Sequence, residues 1–169
     1  MRSLLLLSLI ISALSISSAQ ELVNPNDDCL AIVGTFNNKK NVKDVWVYLY
    51  SDLKKVDSVK TFTKKGFAFV LKPNRHYSIF IDKDGYYSRL VSISTMLPAG
   101  VVPKPVFIFG FKTEFLTRKN NVDEYWLDFP IALISYDSTV KDFTYDKKYT
   151  QTIKEELEKL GLLKIIKKH

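Results

Sequence analysis

The stretch Val45-Trp46-Val47-Tyr48-Leu49-Tyr50 reads as a β-strand, and it sets the fold class. Side chains alternate across a strand, so Val45, Val47 and Leu49 share one face while Trp46, Tyr48 and Tyr50 share the other. Both faces are apolar or aromatic, and both are expected to be partly covered. The same period recurs between bends. Leu30, Ile32 and Gly34 alternate with Ala31, Val33 and Thr35; Phe67, Phe69 and Leu71 share a face, as do Tyr77, Ile79 and Ile81. Ser88 to Thr95 and Phe129 to Tyr136 read as further strands. Val56 to Phe62 is more polar and suits a sheet edge, where Lys discourages unwanted pairing.

The bends carry turn chemistry. Asn37 to Asn41 and Ser51 to Lys55 are polar. Lys64-Lys65-Gly66 reads as a hairpin turn, and Asp82-Lys83-Asp84-Gly85 as a turn with Gly at a left-handed position. Met96 to Pro105 holds three prolines and is a loop. Short strands at this spacing predict an all-β antiparallel sandwich of about seven strands rather than βαβ units. After Thr150 the period becomes helical. Ile153, Leu157 and Leu160 form a stripe, with Thr152 and Glu155 placed for a capping box and Gly161 weakening the middle. This C-terminal α-helix either packs its stripe on the sandwich or contacts a membrane surface through Leu162 to His169.

The chain starts like an exported protein. Arg2, the apolar run Leu4 to Ile11 and the small residues Ser17-Ser18-Ala19 make residues 1–19 a signal peptide, too short in its apolar part to stay as a membrane span. Periplasm, cell surface or secretion then follow as destinations. Residues 20–28 read as an extended leader, 29–116 as the sandwich, and 117–169 as an extension with a strand at 129–136 and an amphipathic helix at 150–168. About 150 residues remain after processing, enough for one hydrophobic core.

The formal net charge of +7 is spread over Lys doublets in presumed loops and ends, with few Arg. That argues against a nucleic-acid surface and leaves solvated charge or an anionic partner. Cys29 is the single cysteine, so an intramolecular disulfide is impossible; it is either a buried thiol or an intermolecular bridge.

Residues 32–94 resemble a carboxypeptidase regulatory-like domain, which has a transthyretin-like (prealbumin) sandwich. The order of Val45 to Tyr50, Val56 to Thr61, Gly66-Phe67-Ala68-Phe69, Leu71 to Tyr77, Lys83-Asp84-Gly85-Tyr86 and Leu90 to Thr95 carries the resemblance. The first turn, Gly34-Thr35-Phe36-Asn37-Asn38, lacks the Pro-Gly step of that family. With Pro103-Lys104-Pro105 and Leu127-Asp128-Phe129-Pro130, the chain is similar to exported envelope proteins of Bacteroidetes-type bacteria.

The catalytic motifs are missing. His76 has no Glu in ligand range for a zinc peptidase, and His169 is terminal. The Asp82 turn has Ile93 where a calcium loop needs its closing acid. No nucleophile elbow or phosphate-cradling loop is present. No cofactor and no metal is therefore expected. The reading is a non-catalytic module of the cell envelope that presents a rigid surface to a protein or glycan, with Trp46, Tyr48 and Tyr50 as the candidate binding residues. The competing reading of these three aromatics is a second packing layer under the C-terminal helix or the Phe129 strand. The alternative function is an accessory subunit or small hydrolase associated with an exported peptidase; it requires His76, Asp82, Asp84 and Asp57 to converge.

Overall fold

A computed structural model describes residues 24, 27–37, 43–61 and 66–163. The signal-peptide reading, most of the leader, and the Lys-rich end of the helix reading lie outside the described residues. Eleven strands and one α-helix follow in chain order among the described residues: β1 Leu30–Phe36, β2 Val45–Ser51, β3 Lys54–Thr61, β4 Phe67–Leu71, β5 His76–Asp82, β6 Tyr86–Tyr87, β7 Arg89–Ser94, β8 Phe107–Thr113, β9 Leu116–Thr117, β10 Ala132–Asp137, β11 Asp142–Tyr145 and α1 Lys147–Lys159. The architecture is the all-β sandwich with a C-terminal helix that the alternation predicts.

One sheet has the order β4-β1-β8 and the other β11-β10-β7-β5-β2-β3; β6 and β9 form a separate ribbon. The inner faces are the alternating apolar sets. Leu30, Ile32, Phe67, Phe69 and Leu71 meet Val45, Val47, Ile79, Ile81, Val91 and Ile93 in one buried cluster. This burial is the main stabilising term, roughly 1.5–3 kcal/mol for each fully buried aliphatic side chain. The polar strand β3 sits at the edge of the six-stranded sheet, as its Lys content predicts.

Four sequence expectations are revised. The sheets are mixed: β1 pairs with β8 in parallel, and β10 with β7 in parallel. Alternation marks a strand but not its partner's direction. Secondly, β3 and β4 belong to different sheets, so Gly66 opens a strand after a crossing instead of closing a hairpin. Thirdly, the strand expected at 129–136 is β10 and is shifted to Ala132–Asp137; it is followed by β11, which antiparallel pairing makes the new sheet edge. Lastly, the helix expected at 150–168 spans Lys147–Lys159. Asp146 is the N-cap and accepts from the Tyr149 N–H, while the Thr152 hydroxyl donates to the Lys148 carbonyl instead of forming a capping box. Gly161 lies at φ +65° just past the helix. The Leu162 N–H donates to Leu157 and the Gly161 N–H to Glu158, a Schellman end. Gly161 therefore stops the helix because it tolerates the left-handed region.

The β2–β3 turn is strained. Asp52 and Leu53 have φ of 47° and 68°, and Leu53 is 96% exposed. Both central residues of such a primed turn need positive φ, which favours Gly. Leu53→Gly is expected to raise stability by about 1 kcal/mol, read as a higher urea midpoint; an unchanged midpoint would show that Leu53 carries no strain.

Candidate functional site

The aromatic face expected on β2 exists. β2 runs between β3 and β5, with Trp46 opposite Lys60 and Asp82, and Tyr48 opposite Ser58 and Phe80. The Trp46 and Tyr48 rings stack with centroids 5.8 Å apart and planes 6° from parallel; Tyr48 and Phe80 are 6.5 Å apart. Lys60 Nζ lies 5.6 Å from the Trp46 ring centroid, and Lys55 Nζ 5.6 Å from that of Tyr48. Each such contact stabilises by roughly 0.5–1 kcal/mol at an exposed site. Lys60 also pairs with Asp44 at 3.0 Å.

Trp46 is 40% exposed, and neither buried cluster includes Trp46, Tyr48 or Tyr50. The helix packs elsewhere. Ile153 and Leu157 of α1 lie with Tyr87 and Leu116, against Trp126, Leu127, Phe129 and Tyr149. The Tyr149 hydroxyl donates to the Pro130 carbonyl at 2.8 Å. The expectation that the helix or the Phe129 segment covers the β2 aromatics is thus corrected: that apolar material forms its own cluster. The reason is topological. The Phe129 segment leads into β10, which joins the sheet beside β7, so that β7 and β5 lie between it and β2.

The four polar residues proposed for hydrolysis do not meet. His76 starts β5 and Asp82 ends it, at opposite ends of one strand. Asp57 lies on the edge strand opposite Leu49, and Asp84 in the turn after β5. His76 lies instead beside a hollow with Asp52, Ser78 and Ser92. Asp82 accepts from the Ser88 hydroxyl at 2.8 Å. Among the described residues, no group of three or more His, Cys, Asp and Glu is placed to hold a metal.

Cys29 is fully buried; its N–H donates to Leu71 and its carbonyl accepts from Phe107. Burial pushes its thiol up to about 11. A thiol so placed is a core side chain rather than a bridge to another chain.

Sequence reading missed one residue. Arg89 is 7% exposed on β7, opposite Ile81 and in phase with Val91 and Ile93 on the inner face. Its Nε is buried with no hydrogen-bond partner, and the Thr150 Oγ1 is in the same state. Both residues line a cavity of about 380 Å³ between β8, β7, β10 and α1. The signal was available: an Arg two residues before Val91 occupies a core position of the same strand.

Among the described residues, a mixed β-sandwich with a partly exposed aromatic sheet face and a solvent-open cavity beside the helix is the class that this geometry defines. No protein-family model matches the chain, and no curated protein matches it.

Proposed function

We propose that the chain is a non-catalytic, exported binding module of the cell envelope, with Trp46, Tyr48 and Tyr50 as its contact face for a protein or glycan. The observation that carries this reading is the partly exposed stack of Trp46 on Tyr48, flanked by Phe80 and two lysines. Aromatic rings on a rigid strand give large contact area at low entropy cost, and surface aromatics mark interaction sites. Core packing of Val45, Val47 and Leu49 on the opposite side of the strand holds the rings in place before a partner arrives. The dispersal of His76, Asp57, Asp82 and Asp84 supports a binding role over the hydrolase alternative. The resemblance to carboxypeptidase regulatory-like domains and the apolar run before Ser17-Ser18-Ala19 support the envelope assignment.

The test is retention of the immobilised chain on envelope fractions and on purified envelope polysaccharide. The Trp46→Ala, Tyr48→Ala double variant is expected to lose at least tenfold in retention while still unfolding in one cooperative urea transition, its midpoint lowered by the loss of the two lysine–ring contacts. Equal retention by parent and variant would remove the aromatic face from the function.

A further inference from the structure

We infer that the cavity around Arg89 is a binding site for a small carboxylate with an apolar body, held by the buried guanidinium of Arg89 and the hydroxyl of Thr150. This goes beyond the outer-face reading, because the cavity opens between the sheets and contains none of the β2 aromatics.

The first support is the cost of what is there. An inward-facing charge on a central strand is unfavourable unless it is paired. Among the described residues, Arg89 forms no ion pair, and its Nε–H has no acceptor. Glu114 acts on it only through the field and is itself exposed. The other buried side-chain polar atoms among the described residues are satisfied. The Thr95 hydroxyl, fully buried, donates to the Lys72 carbonyl at 2.7 Å and accepts from the Arg75 N–H at 3.1 Å. The Arg89 Nε and the Thr150 Oγ1 are the two buried side-chain atoms without a hydrogen-bond partner among the described residues, and both residues line one cavity.

The second support is the lining. Phe109, Ile131, Ile134 and Leu157 supply apolar walls. Lys112 and Lys154 stand exposed among the lining residues, so the approach carries more positive than negative charge despite Glu114. Apolar walls with few convergent polar groups are the usual composition of a small-molecule site, and about 380 Å³ lies at the small end of such sites. That size suits one short tail rather than a two-chain lipid. A carboxylate accepts from a guanidinium through a planar fork, which a hydroxyl-headed molecule does not match.

The test is calorimetric titration of the full chain with decanoate and with decanol, its neutral counterpart. Saturable one-to-one binding of decanoate, at least tenfold tighter than decanol, is expected. Arg89→Met should lose at least tenfold in decanoate affinity, while its ligand-free melting temperature rises. Thr150→Val should weaken decanoate several-fold, and Val140→Ala, an exposed position that does not line the cavity, should leave it unchanged. The absence of saturable decanoate binding, equal affinity for decanol, or unchanged affinity in Arg89→Met would each overturn the assignment. If Arg89→Met fails to fold, the decanoate-to-decanol ratio on the parent chain decides alone.

Discussion

Gly34→Ala is expected to destabilise the protein by about 3 kcal/mol, the upper end for an overpacked core. Gly34 stands on β1 directly between Phe67 of β4 and Phe111 of β8. The missing side chain is filled by the Phe67 ring, and a Cβ at position 34 would enter that ring. Phe67 is buried and packed among other rings. Its ring meets Phe36 at 6.1 Å, Phe69 at 5.7 Å and Phe111 at 5.9 Å between centroids. The clash therefore spreads along the whole inner face of the three-stranded sheet. Urea unfolding measures it as a lower midpoint at unchanged slope. Phe67→Leu should recover part of the loss in the double variant, because it vacates the space the new methyl needs. A Gly34→Ala variant within about 0.5 kcal/mol of the parent, the range of neutral surface substitutions, would mean that the ring is not packed against Gly34 as described.

Leu157→Ala carries the other large effect, about 3 kcal/mol within the usual range for a buried Leu. Leu157 is 1% exposed and joins α1 to Tyr87 and Leu116. Its carbonyl also accepts the Leu162 N–H that closes the helix, but that bond is made by the backbone and survives the substitution. The loss is one of packing. Trp126, half-buried against the same cluster, reports it, and its emission should shift to the red at a lower urea concentration. A helix whose apolar stripe served only a membrane would leave the stability of the free protein unchanged on this substitution. Because Leu157 also lines the Arg89 cavity, the variant should weaken decanoate binding as well.

The legible parts of this molecule were those in which one strand's own residues decide the outcome. Val45, Val47 and Leu49 point inward and Trp46, Tyr48 and Tyr50 outward because the backbone alternates, whatever the partner strand is. Gly85 adopts φ +77° in the turn its neighbours announce. The helix was visible through its period, but its start was misplaced, since Asp146 is as good a cap as Thr152 and only the path of β11 selects it. β11 itself, four residues of mixed polarity, has too little pattern to stand out. The β6–β9 ribbon is shorter still.

The two sites divide along the same line. The β2 aromatics were found by reading along one strand. Arg89 shares a face with Val91 and Ile93 in the strand expected over Ser88 to Thr95, but charged residues are mostly exposed and alternation alone does not show that this one is enclosed. Its interior position follows from β10 pairing in parallel with β7 and from α1 closing over that edge.

Chain order alone determined which side chains share a strand face, where the tight bends fall, and that a helix follows the last strand, since each depends on neighbours a few residues apart. Tertiary structure decided which strands lie side by side, which aromatic face stays partly exposed, and that an arginine is turned inward with its Nε buried and without a partner among the described residues. Those outcomes arise from contacts between segments far apart in the chain, whose energies no local pattern contains.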